Sequence, residues 1–238
     1  PKDRDLAASL VSRAEAAGYK GIVVTLDTWV TGWRPRDLNT GNFPQLRGHV
    51  LANYFSDPVF RRQLQTPPEQ APAAAVRSWA ATFGKVLTWD DMPWLRSLTK
   101  LPLILKGIGT GEDAALCCEN GVDGVYVSNH GGRQLDHGRG SAAVLPEVVA
   151  AVKGRAKVAV DGSFSRGSDI VKAICLGADW VGLGRLYCYG LAAAGAAGTD
   201  GQDYVSEVTC AERYVRPAVD AATSRRVVAY DFGIKTSI

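Results

Sequence analysis

Long hydrophobic runs are missing from this chain of 238 residues. Nowhere do about 18 apolar residues follow one another without interruption, the length a bilayer requires, and no basic-then-apolar leader stands at the start. Neither a membrane segment nor secretion is expected. Charge of one sign is also scarce: 27 Lys and Arg oppose 24 Asp and Glu, a formal net charge of +3. No basic run of the kind that tracks nucleic acid or anionic lipid occurs, so polyanionic polymers are not expected as partners. Paired cysteines are lacking too. Cys117, Cys118, Cys175, Cys188 and Cys210 form no C-x-x-C spacing, so neither a metal site nor a disulfide framework is indicated, and a reducing cytoplasm fits. Methionine occurs once, at Met92, and the chain opens on Pro1; further sequence is expected ahead of it.

What is present is the composition of an ordinary globular protein, 46% hydrophobic and 21% charged, long enough for one α/β barrel or two smaller domains. Five short apolar runs read as strands: 21–26, 102–106, 122–127, 157–160 and 180–184. Helix-like segments at 6–17, 112–120, 145–152 and 168–176 introduce four of them. Each ends near a glycine (Gly18, Gly121, Gly154, Gly177) suited to a left-handed helix cap. Helix and strand alternate, which predicts a parallel sheet. The interval 28–101, scattered with Pro35, Pro44, Pro58, Pro67, Pro68 and Pro72, breaks the rhythm and reads as a long insertion with short helices on the catalytic face. The small-residue run 191–198 is expected to pack tightly or bend.

Polar residues collect just past the strand ends: Thr25 and Asp27, Lys106, then Ser128, His130 and Arg133, then Asp161, then Gly184 and Arg185. In a barrel those ends share one mouth. His130 stands among Asn, Gly and Arg in VSNHGGRQLD (127–136), a setting for function rather than for a core histidine. Arg133 and Arg34 are forks suited to a carboxylate, although Arg34, in GWRPRD, equally fits a surface ion pair. Lys106 ends an apolar strand, where an ammonium needs an anion beside it, structural or functional. Asp27 caps a turn or orients a neighbouring imidazole. The glycine-rich turns DGSFSRG (161–167) and GLGR (182–185) lead into helices, where free N–H groups suit a phosphate.

SNHGGRQ (128–134), VVTLDTWVTGWRPRDL (23–38), LTWDDMPWL (87–95), LPLILKGI (101–108) and VKAICLGADWVGLGR (171–185) together resemble the FMN-dependent α-hydroxy-acid oxidases and dehydrogenases, the family of glycolate oxidase, flavocytochrome b2 and lactate monooxygenase. The resemblance covers residues 1–198, and GWRPRDL with ANYFSDPVF (52–60) looks most like the lactate monooxygenases. It implies a (β/α)8 TIM barrel of which strands four to eight are present, FMN as cofactor, a small 2-hydroxy acid as substrate, oxygen or another electron acceptor, and a homo-oligomer for the complete chain. It also implies His130 as the base, Asp27 as its carboxylate partner, and Arg133 and Arg34 on the substrate carboxylate. Lys106 would lie near the flavin N1 and C2 oxygen, Thr25 and Ser128 on the isoalloxazine, and Asp161 at the ribityl chain. Gly162, Ser163, Ser165 and Arg166 would form the phosphate-side loop, with Gly184 and Arg185 at the phosphate.

Two positions depart from the family pattern. Ser165 stands where an arginine is usual, and Leu186 replaces a proline. The first removes a charge-assisted contact worth about 1.5–3 kcal/mol. It motivates a rival reading, an inactive remnant or a non-catalytic flavin-binding or interaction subunit; a different FMN barrel, such as an isomerase, is disfavoured by the His130 and Arg133 pair. Residues 199–238 form a divergent tail of unassigned role, whose end, RRVVAYDFGIKTSI (225–238), reads as a new strand and is similar to the small subunit of carbamoyl-phosphate synthetase.

Overall fold

The computed structural model describes residues 1–84, 87–135 and 137–195. Helix α1 (Arg4–Ala16) leads into β1 (Ile22–Thr25). Five short helices fill the interval before the next strand: α2 (Pro35–Thr40), α3 (Ala52–Phe55), α4 (Pro58–Arg62), α5 (Pro72–Thr82) and α6 (Met92–Ser97). Then β2 (Leu103–Ile108), α7 (Gly111–Glu119), β3 (Gly124–Val127), α8 (Ser141–Val152), β4 (Lys157–Val160), α9 (Gly167–Cys175), β5 (Trp180–Val181) and α10 (Arg185–Gly195) alternate. The strands form one parallel sheet in chain order, β1-β2-β3-β4-β5. Neighbours in chain order, each reached through a helix, are the wall of a TIM barrel, the fold class expected from the sequence.

Side-chain alternation explains the two faces. Leu103, Leu105, Val125, Val127, Val158 and Val160 pack outward with Ala114 and Cys117 of α7 and Val144, Leu145, Val148 and Val152 of α8, forming the main core. Val23, Ile104, Tyr126 and Ala159, with Trp180, form a separate inner cluster. Two residues further along each strand, that inward face carries Thr25, Lys106, Ser128 and Asp161, so a period of two brings these four to one rim. The β2–β3 register shifts between Lys106 and Ile108, where Gly107 takes φ 104° and a Cβ would come 3.1 Å from the Asp27 side chain. This bulge makes room for Asp27.

At the opposite end, two Gly-x-Asp steps close the wall. The Asp123 N–H donates to the Leu103 carbonyl at 2.9 Å while its carboxylate accepts from the Leu103 N–H at 2.8 Å. Asp179 repeats this exchange with Val158 at 2.7 and 2.8 Å. The glycines ahead of them, Gly121 and Gly177, are left-handed, as are Gly18 and Gly154, the helix ends expected of them. Helix α8 begins at Ser141 rather than at the expected 145. Pro146, whose missing N–H suits a first turn, lies inside the helix. The expected strand 180–184 is reduced to Trp180–Val181, and Gly182 passes so close to Tyr126 that a Cβ there would overlap the phenol oxygen.

The interval 28–101 divides by contact. Leu51, Tyr54, Phe60, Val76 and Trp79 close over Leu6 and Leu10 of α1 in a second core, whereas Met92 and Leu95 of α6 join the main one. Because the end of α1 feeds the start of β1, Leu6 and Leu10 lie toward the rim where strands end. Asp57 ties this layer down. It is fully buried, caps α4 through the N–H groups of Val59 and Phe60, and accepts from Ser9 at 2.8 Å and Arg13 at 2.9 Å. No described helix is long and apolar enough to cross a membrane. The tail 199–238, the end of the run 191–198 and Cys210 lie outside the described residues.

Candidate active site

The Ser128 hydroxyl, on a residue 4% exposed, donates to Asp161 Oδ1 at 2.6 Å and accepts from the His130 N–H at 3.1 Å. The chain then turns left-handed at His130 (φ 58°), Gly131 and Gly132, and the Asn129 side chain accepts from the Gly132 N–H at 3.3 Å. A left-handed non-glycine residue costs about 1–3 kcal/mol. Here it aims the imidazole across to β1, where His130 Nδ1 lies 3.0 Å from Asp27 Oδ1. The other Asp27 oxygen, Oδ2, is buried and accepts no hydrogen bond among the described residues. With Nδ1 facing a carboxylate, Nε2 is the imidazole nitrogen available to a reactant.

Arg34 and Arg133 stand beside this pair. Arg133 Nη2 is 3.4 Å from Asp37 Oδ2, and Arg34 Nη1 is 3.9 Å from the same oxygen. Arg34 also donates to the Arg133 carbonyl at 3.3 Å and to Gln134 Oε1 at 2.9 Å. Burial, and then the neighbouring Arg133 charge, lower the Arg34 pKa; Asp37 acts in the opposite sense and Arg185 adds to the fall. The guanidinium stays charged at neutral pH regardless. Gathered cations at a rim are an anion site.

Lys106, 5% exposed, has its ammonium 3.6 Å from Asp161 Oδ2 and 5.5 Å from the centre of the Tyr126 ring. Thr25 is its register partner on β1. Arg185, the first residue of α10, reaches the histidine turn: a Cβ at Gly131 would lie 3.0 Å from its Nη2. Gly162 and Ser163 are left-handed, and Gly184 borders open space. The structure thus brings Asp27, Arg34, His130, Arg133 and Arg185 into one group and Lys106, Ser128 and Asp161 into another beside it. Ser165 and Arg166 stand apart, both exposed, with their backbone N–H groups taken by Asp169 at 3.3 and 3.1 Å.

Sequence reasoning missed Gln134, Asp37 and Tyr126. Gln134 and Asp37 lie inside the quoted motifs, but local sequence gives no sign that Gln134 reaches Arg34, 100 positions away, or that Asp37 reaches Arg133, 96 positions away. A cavity of about 150 Å³ opens at the β1 edge among Leu10, Ile22, Val24, Trp94 and Leu95 and reaches Thr25 at the rim; its lining is mostly apolar.

The family model for FMN-dependent dehydrogenases matches residues 1–202. The L-lactate oxidase of Lysinibacillus sphaericus is 42% identical over 198 residues, 83% of this chain and 51% of the relative. That of Nostoc sp. is 46% identical over 197 residues, 83% and 53%, and a peroxisomal (S)-2-hydroxyacid oxidase of Arabidopsis thaliana 45% over 199 residues, 83% and 52%. Mandelate oxidase crystallised with (S)-2-phenylpropionate is similar with a TM-score of 0.65 at 36% identity, over 87% of this chain and 52% of that one. The chain spans about half the length of the curated relatives it matches. A match that takes in every strand of the sheet and both polar groups at its rim shows that the chain belongs to the FMN-dependent dehydrogenase family.

Proposed function

We propose that residues 1–198 are the C-terminal part of an enzyme barrel that oxidises a small L-2-hydroxy acid, lactate-like, to the 2-keto acid or its decarboxylated product. The observation that carries this reading is His130 Nδ1 held 3.0 Å from Asp27 with Arg34 and Arg133 alongside. His130 takes the substrate proton at Nε2, Asp27 stabilises the imidazolium that results, and the two arginines hold the carboxylate in a fixed orientation. The relatives named L-lactate oxidase and (S)-2-hydroxyacid oxidase support the substrate class.

The residues present fit FMN. Lys106 is a buried cation on the inner rim, suited to the electron-rich N1 and C2 oxygen edge, with Thr25 and Ser128 as polar neighbours and Asp161 for the ribityl hydroxyls. Arg185, Gly184 and the start of α10 suit the phosphate, with Gly162 and Ser163 bordering it. Bound FMN supplies the two-electron acceptor. Oxygen or another acceptor, the cytoplasm and a homo-oligomer complete the reading. Ser165, which supplies no cation where the family pattern has one, favours the second reading, a non-catalytic flavin-binding or interaction subunit.

Anaerobic mixing with L-lactate, followed by flavin absorbance, tests the choice. Completed by the N-terminal half of a relative such as the Nostoc L-lactate oxidase, the flavin-loaded protein is expected to bleach, and His130→Gln to slow bleaching by at least about 100-fold with flavin retained. A rate within threefold of the unmutated protein would remove His130 from its role.

A further inference from the structure

We propose that Gln134 is a positioning residue for carboxylate recognition, setting Arg34 beside Arg133 by locking the loop after β1 to the loop after β3. The inference rests on the proposed reading of the site and deepens it. Gln134 Nε2 donates to the carbonyls of Asp27 at 2.8 Å and Val30 at 3.0 Å, and its Oε1 accepts from Arg34 Nη2 at 2.9 Å. A primary amide offers two N–H donors on one atom and an acceptor on the other. Turned over, it would set its oxygen against two carbonyls and its NH2 against a cation, so its surroundings permit one orientation.

Gly32 supports the same joint from the other side. A Cβ there would overlap the Arg133 carbonyl and lie 3.1 Å from Gln134 Oε1, so the two loops meet backbone to backbone. Arg34 Nε adds a bond to that Arg133 carbonyl. Arg34 is therefore held largely by the loop of β3, although it belongs to the loop of β1. Arg133 and Arg185 both repel its charge, and the Gln134 oxygen together with Asp37 opposes that repulsion. His130 and Asp27 meet through the Asp27 side chain, whereas Gln134 holds only the Asp27 carbonyl, so carboxylate binding depends on Gln134 more than proton transfer does.

The experiment uses the chain completed by the N-terminal half of the Nostoc L-lactate oxidase and loaded with flavin, and compares it with Gln134→Met, which keeps the length but makes none of the three bonds. Affinity for oxalate, a carboxylate with no hydrogen to lose from carbon, is read by flavin absorbance, and KM and kcat are read with L-lactate. Gln134→Met is expected to weaken oxalate and raise KM by at least about tenfold while kcat stays within about threefold. Gly32→Ala should give the same split, and either variant suffices if the other fails to fold. Oxalate affinity and KM within twofold of the unmutated protein, or a loss confined to kcat, overturns the inference. If the unmutated protein binds oxalate without oxidising L-lactate, the proposed oxidation fails, but weaker oxalate in Gln134→Met still supports the positioning role. If the unmutated protein binds neither compound, both fail.

Discussion

Arg185 joins two features that rarely coincide by accident, the first position of a helix and a guanidinium directed over a glycine turn. Gly131 has no Cβ to crowd its Nη2, and the cation adds to the N–H groups of α10 as an anion site. Arg185→Ala is therefore expected to weaken FMN binding by about one to two decades, the equivalent of one charge-assisted contact. Ser165→Arg is expected to tighten it, because Ser165 Oγ, which bonds the local Ser163 carbonyl at 3.3 Å, carries no charge. Flavin fluorescence titration reads both, and constants unchanged in both variants would move the phosphate elsewhere. His130, Arg133 and Asp27 were legible as candidates because each lies just past the end of a strand. That Asp27 has its second oxygen buried without a donor was not, since it depends on the bulge at Gly107.

At the scale of elements, helix ends were read to within a residue or two wherever a glycine follows, and α8, with Pro146 inside it, was misplaced at its start. The insertion hid its anchor. Asp57 was visible only as a residue before a proline, whereas in the structure it is a buried carboxylate joining α4 to α1. Burial by itself pushes its pKa up, but Arg13, Ser9 and the N–H groups of Phe60 and Val59 together hold it below the ordinary aspartate value. A depressed folded pKa means that Asp57 adds stability above the unfolded value of about 3.9, and that this part is lost as pH falls through the folded value. Asp57→Asn is expected to lower stability at pH 7 by about 2 kcal/mol and to flatten the loss below pH 4. Urea melts at pH 7, 5 and 3 measure both effects, and parallel curves for the two proteins would mean that Asp57 does not carry the acid sensitivity.

Across the whole molecule, the sheet has β1 and β5 each paired on one side among the described residues. Its rim and flanks show Trp29, Trp33, Leu135, Val171 and Ile174, all more than 45% exposed. Unpaired strand edges and apolar patches recruit other chains. Residues 1–198 expressed by themselves are expected to elute from a sizing column as aggregates with little flavin absorbance. Co-expression with the N-terminal half of the Nostoc L-lactate oxidase is expected to shift them to a defined yellow species. A monodisperse, flavin-loaded product from the segment alone would show that five strands suffice.

The sequence by itself determined the parallel α/β order, the strand ends that carry chemistry, and the family, because each follows from local periodicity or from motifs of adjacent residues. Only the tertiary structure decided how the polar groups pair. Asp27 finds His130, Asp161 finds both Ser128 and Lys106, and Gln134 holds Arg34. Each of these meetings joins side chains from different strand ends. Such contacts form only when the pleat, the Gly107 bulge and the left-handed turn at His130 set distances to within a hydrogen bond, and no local propensity encodes a distance across the sheet.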